Sequence, residues 1–219
     1  FTFSAYRTAA AIARRNGNPK RATELLQEMR VIAGEFGFFR LDVLARLTLA
    51  DMFVVESAEQ ATSILPNRSH SIFLTTHGPY LRARQSLTEA RIAARQGKFH
   101  LSNRFANIAL DHARRLELGR LEVAALLSSA VACAGTGRAA LSEQRVADAI
   151  DIASRLGCYR TLLDERWHLE ALGSISTPLL NLIPSEEELG RREPAPGDHR
   201  VRLPRSETYV VLTRKELAM

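Results

Sequence analysis

The side chains best equipped for chemistry in this chain are six histidines, two cysteines and a scatter of carboxylates, and their spacing decides what they can do. The histidines are His70, His77, His100, His112, His168 and His199. A zinc protease needs two histidines one helical turn apart with a glutamate between them, and no H-E-x-x-H occurs. No histidine pairs with Cys133 or Cys158 at zinc-binding spacing. His70 and His77 lie seven apart, which does not by itself make a site, so no metal is expected. There is no G-x-x-x-x-G-K-[ST] to cradle phosphates and no G-x-S-x-G to expose a nucleophilic serine. Gly135-Thr-Gly137 reads as a turn. The chain is expected to be no enzyme, with no catalytic residue and no cofactor.

What remains is a set of polar residues with regular spacing. Asp42, Arg46, Arg82, Ser86, Glu89, Glu122, Ser129 and Arg166 stand two, six or nine places after residues 40, 80, 120 and 160. Those offsets fall on one face of a helix. Arginine there can grip a carboxylate or phosphate bidentately. Glutamate can accept hydrogen bonds from hydroxyls or amines. We therefore expect these eight to line a concave face that holds a polar small-molecule effector or a protein partner. The bland alternative is a solvated helix face.

The elements that would carry them repeat. Four segments, starting at Arg40, Tyr80, Arg120 and Arg160, align at an offset of forty. One column reads Val43, Ala83, Val123, Leu163, the next Leu47, Leu87, Leu127, Trp167, and the third Ala50, Ala90, Ala130, Glu170. Offsets of three, seven and ten share a helical face. Leu126 stands one position off its column, so its truncation should cost less than that of Leu127. Between these helices a second set is expected over about 20–36, 99–118 and 139–156, with columns Met29/Ala109/Ala149, Ala33/Ala113/Ala153 and Phe36/Leu116/Leu156. Gly37, Gly157 and, two residues later in its repeat, Gly119 are expected to close these helices with left-handed turns. The fold expected is all-α: a right-handed solenoid of two-helix repeats, TPR- or HEAT-like with a period of about 40. In one repeat Pro66 should stop a short helix running from Ser57 to Leu65, and the segment 66–79 is either a ligand site or a tolerated degenerate repeat.

The 219 residues are 46% apolar and 25% charged, the composition of an ordinary globular domain. No apolar run is long enough to span a membrane. On the helix register above, one intervening helix separates Cys133 from Cys158 by roughly 30 Å, so no bridge forms and a reducing, cytoplasmic location is expected. The net charge is +6, and seven basic against three acidic residues between Arg191 and Lys215 place +4 of it in the tail. Residues 1–183 should form the repeat domain and 184–199, rich in proline and glycine, a linker. Residues 200–219 should be a basic tail, extended or hairpin-like through Arg200–Leu203 and Thr208–Leu212. Thr213 and Glu216 then form a capping box that opens a helix.

Leu212, Thr213, Glu216 and Leu217 resemble the opening of a LuxR-type helix-turn-helix. In the large MalT-like regulators of that family this module follows a superhelical array of two-helix repeats. The resemblance implies the effector-sensing and oligomerisation arm of a transcriptional regulator, cut from a longer protein. DNA would be read only through helices beyond Met219, and self-association would be expected. A general helical-repeat scaffold for a protein partner, unrelated to DNA, is the alternative.

Overall fold

The computed structural model describes residues 2–66, 78–170, 172–173, 177–183, 199–202 and 209–212. The side chain of Trp167 lies outside the described residues, as do the segment 67–77 with His70 and His77, most of the linker, and the capping box at Thr213.

The chain is predominantly helical. In order come α1 Thr2–Arg15, α2 Pro19–Glu35, α3 Phe39–Phe53, α4 Ala58–Ile64, α5 Pro79–Arg95, α6 Phe99–Arg115, α7 Gly119–Gly135, α8 Ala139–Leu156, α9 Tyr159–Glu170 and the short α10 Thr177–Leu180. Two strands, β1 His199–Arg202 and β2 Tyr209–Leu212, pair antiparallel with Arg200 opposite Val211.

The regularity lies in the corners as much as in the helices. At each of six corners a backbone N–H reaches back five residues, from 18 to 13, 38 to 33, 98 to 93, 118 to 113, 138 to 133 and 158 to 153. These bonds satisfy carbonyls that a helix end would otherwise leave orphaned. The geometry needs a left-handed residue just before the donor, which Gly17, Gly37, Gly97, Gly137 and Gly157 supply. At the sixth corner Glu117 takes that conformation with φ 54°. This corrects the expected role of Gly119, which is the first residue of α7 and closes nothing. Corners this short fold consecutive helices back on each other, so Phe99 at the start of α6 lies against Gly135 at the end of α7.

The apolar columns explain the packing. Val43, Ala83, Val123, Leu47, Leu87, Leu127, Ala50, Ala90 and Ala130 are all buried, and Ala10 extends the last column back into α1. Met29, Ala109, Ala149, Ala33, Ala113 and Ala153 are buried on the even-numbered helices. Small residues at these crossings let the helices approach closely. The odd-numbered helices also touch one another, α3 on α5, α5 on α7 and α7 on α9.

Three expectations need correction. Phe36, Leu116 and Leu156 are largely exposed, because they fall at helix ends where the helix has already turned off the core. Leu126 is as buried as Leu127, since α7 is covered by α5, α6, α8 and α9 and keeps no solvent face. On α9 Leu162, Glu165, His168 and Leu169 are buried, while the column residue Leu163 is only half-buried. The short helix after α3 matches the reading from Pro66: Ser57 caps it by accepting from the Gln60 amide at 3.2 Å.

Candidate functional site: a charged cleft on the odd-numbered helices

Asp51, near the end of α3, is the centre of the most heavily buried polar group. Its carboxylate accepts from the Arg91 guanidinium at 2.8 Å, from Arg84 at 3.0 Å and from the Thr88 hydroxyl at 2.9 Å. All three donors come from α5. Arg91 also donates through Nη2 to Glu165 of α9, 74 positions further along the chain. One guanidinium thus joins three helices. His168, one turn beyond Glu165, is buried beside them, and Arg14 at the end of α1 feels Asp51, Glu165, Asp164 and Arg91.

The electrostatics follow from burial and pairing. Burial opposes the charge on Asp51, but Arg91 and then Arg84 outweigh it and hold the carboxyl at about 2. Burial likewise opposes the charge on Arg91, and Asp51 with Glu165 more than restores it, so Arg91 stays a cation. His168 is pushed well below the ordinary imidazole value, first by burial and then by Arg91, so it is neutral at pH 7. Arg14 is lowered, chiefly by burial.

A small pocket opens against this group; its enclosed part has room for about one water molecule, and the rest is open to solvent. Arg91, Arg95, Ser128, Glu165 and His168 give it polar walls. Val54, Ala90, Ala94, Leu127, Val131, Leu169 and Leu172 give it an apolar floor. Its side chains come from α5, α7 and α9 and the residues just beyond α3 and α9. Such a mixture of apolar wall and a few convergent polar groups is the usual make-up of a small-molecule site.

The eight polar residues singled out by spacing sit elsewhere on the same helices, and none lines this cleft. Asp42 is held between Arg30 of α2 at 3.1 Å and Arg46 at 2.7 Å. Glu122 takes Arg114 of α6 at 2.8 Å, and Ser129 donates to Asn103 of α6 at 3.1 Å. Arg82 is exposed and close enough to His112 of α6 to lower its pKa, behind the larger effect of burial. Ser86 is buried. Glu89 accepts from Gln85 at 3.0 Å and is raised by burial. Arg166 pairs with Glu170 within α9 at 3.1 Å. Offsets two, six and nine therefore meet the neighbouring even-numbered helix or their own helix. They form no single cluster.

Two signals in the sequence pointed to the cleft. Thr48, Thr88, Ser128 and His168 stand forty apart, a polar column beside an apolar one. Asp51 and Arg91 are opposite charges at the same separation, and so they meet when one helix stacks on the next. Among the described residues no group of three or more His, Cys, Asp or Glu is placed to hold a metal, and no helix is long and apolar enough to cross a membrane.

No family model matches the chain, and no solved structure matches it. It is similar to the HTH-type transcriptional regulator AlkS of Alcanivorax borkumensis, 31% identical over 172 residues, which is 77% of this chain and 19% of that protein. The regulators of the same name from Ectopseudomonas oleovorans and Pseudomonas putida are 27% and 26% identical over 188 residues, 86% of this chain and 21% of each. The chain spans about a fifth of the length of the curated relatives it matches. It is related to HTH-type transcriptional regulators across most of its own length.

Proposed function

We propose that the chain is the signal-receiving and protein-interaction arm of an HTH-type, LuxR-like transcriptional regulator. The observation that carries this reading is the match itself: it covers most of this chain yet only a fifth of each regulator, so the shared part is one segment of a larger protein. The arm is a right-handed, TPR-like solenoid in which the odd-numbered helices form the inner layer and the even-numbered ones the outer. Small effectors enter the cleft against Arg91, Glu165 and His168, while the columns from Asp42 to Arg166 are the surface for a protein partner or a second copy.

In this reading the segment reads no DNA sequence. The 219-residue chain should bind duplex DNA weakly, without sequence preference and with a steep loss in salt, through the arginines of its tail. The test is a mobility-shift titration comparing residues 1–183, the 219-residue chain and the longer protein containing it. Sequence-specific binding by the longer protein alone supports the proposal. Specific binding by residues 1–183 overturns it.

A second reading, a scaffold for a protein partner, is favoured by one corner. Four of the other corners are polar or mixed and Leu156-Gly157-Cys158 buries its cysteine, whereas Phe36-Gly37-Phe38-Phe39 exposes three aromatic rings with Phe36 and Phe38 stacked at 6.0 Å. Exposed apolar patches of this kind mark interaction surfaces.

A further inference from the structure

We propose that the corner between α2 and α3 docks a second copy of this chain, which lays its own aromatic corner on the first about a twofold axis. The inference rests on the reading of that corner as an interaction surface and names its occupant.

The first ground is apolar surface without a seat. Phe36 and Phe39 are each 67% exposed and Phe38 47%, and the exposed Val31 stands one turn before Glu35 on α2. Phe99 holds the place of Phe39 at its own corner, and there the ring rests against Gly135 at the end of α7. Three sibling corners put Asn16, Gln96 and Thr136 where this one puts Phe36, and two put leucines. A phenylalanine covers about 150–250 Å² when buried, so three rings exposed to this degree leave roughly 300–400 Å² in water. Patches of that size on a monomer are commonly functional.

The second ground is order within the patch. Phe36 and Phe38 stack on each other at 6.0 Å with their planes 22° apart. Gly37 between them makes the left-handed turn at φ 68°, and the Phe38 amide is tied back to the Ala33 carbonyl at 2.7 Å. The backbone that presents the rings is therefore fixed before any partner arrives. Side chains already held in place lose less freedom when they are covered, which favours binding.

The third ground, charge, selects the occupant. Glu35 and Arg40 bracket the aromatic run, one at each end. Both are exposed, and the ion pairs beside them, Arg30 and Arg46 with Asp42, do not include them. A twofold interface must complement itself, so that where one residue meets a second, the second meets the first. Laid in reverse on another copy, Glu35-Phe-Gly-Phe-Phe-Arg40 brings each Glu35 to the other Arg40 and rings onto rings. Offset and edge-to-face ring pairs are favourable in such a core. The bracket carries no excess of either sign that would select an acidic or a basic partner instead. The rings fall short of the ~800 Å² per partner of a standard interface, so the dimer is weak and depends on concentration.

The experiment is sedimentation velocity on the 219-residue chain from about 1 μM to about 1 mM, the range of a weak complex. The wild type should pass from monomer to dimer across that range. Phe36→Ser combined with Phe39→Ser should weaken the pairing by about tenfold or more, because central aromatic residues carry most of the energy of an interface. Glu35→Arg alone and Arg40→Glu alone each set like charges against each other across the axis, and each should weaken it severalfold. Mixed in equal amounts, the two single variants regain both opposite-charge pairs and should associate with each other more tightly than either does with itself. These exposed substitutions keep the test decisive if the serine variant unfolds. A chain that stays monomeric to about 1 mM overturns the proposal. So does a dimer that a folded serine variant leaves intact, or a mixture that associates no better than its components. None of these results touches the DNA titration, which tests the arm reading separately.

Discussion

Asp42 and Asp51 sit nine residues apart on α3, and each lies between two arginines. Their partners differ in kind. Asp42 is held by Arg46 of its own helix and Arg30 of the helix before it, with the Asp42 side chain 17% exposed. Asp51 is held by two arginines of α5, the next odd-numbered helix, and its side chain is 7% exposed. The first arrangement fastens one helix hairpin. The second joins one repeat to the next, and through Arg91 and Glu165 it reaches past α7 to α9. The same residue types thus make a local surface pair in one place and a long-range tie in the other, and burial decides how much each matters.

The largest effect should come from cutting the tie. Arg91→Met leaves Glu165 buried without its arginine and Asp51 with Arg84 alone, and breaking a buried pair in this way costs about 3–5 kcal/mol. Arg46→Met removes a partly exposed partner and should cost no more than about 1 kcal/mol. Equal losses in urea denaturation would erase the difference between the two regions.

Next come the apolar columns that carry both. Leu87→Ala, Leu126→Ala and Leu127→Ala should each cost about 2–5 kcal/mol, because all three side chains are fully buried. A clearly milder Leu126→Ala would mean that α7 keeps an open face after all.

Acid should weaken the buried region. His168 and Asp51 both have folded pKa values below their unfolded ones. For such groups the stabilisation is complete above the unfolded pKa and is lost as the pH falls towards the folded one. His168 should therefore begin to destabilise the chain as the pH drops below about 6.5, by at most roughly 1.4 kcal/mol per pH unit. Asp51 adds its loss only below about pH 4. Denaturation midpoints measured from pH 7 to pH 5 should fall in the wild type and flatten in His168→Gln. An unchanged slope in that variant would place the proton elsewhere.

The smallest effect lies outside both regions. Glu117→Gly relieves a side chain held at φ 54° where five sibling corners use glycine, and should stabilise the chain by about 1 kcal/mol. The gain should appear as a small rise in melting temperature, and a fall would show that the Glu117 side chain has a role the corner geometry does not reveal.

Much of the fold could be read from spacing, for a physical reason. When repeats stack, residues forty apart become neighbours, so Val43, Ala83 and Val123 share one buried column, and Asp51 finds Arg91. The polar column Thr48, Thr88, Ser128, His168 was legible in the same way, but offset eight adjoins the leucine column at seven and reads as the edge of the core. What spacing does not encode is how the stack closes around α7. Glu165 reaches Arg91 from two repeats further along the chain, and the covered state of α7 buries Leu126. Both depend on how neighbouring helices close around an axis, which no single repeat records. The left-handed Glu117 was hidden because Gly119 offered a more conventional residue two places away.

The bond between Arg91 and Glu165 ties α9 to α5 across α7. A double-mutant cycle on Arg91→Met and Glu165→Gln, read by urea denaturation of the 219-residue chain, measures that tie directly. Residues in one ion-pair network couple by about 0.5–3 kcal/mol, whereas distant, independent sites add within about 0.3–0.5 kcal/mol. The structure predicts a coupling energy above about 1 kcal/mol, since both side chains are buried. Additive losses would contradict it, and α9 would then lie beside the cleft without closing it.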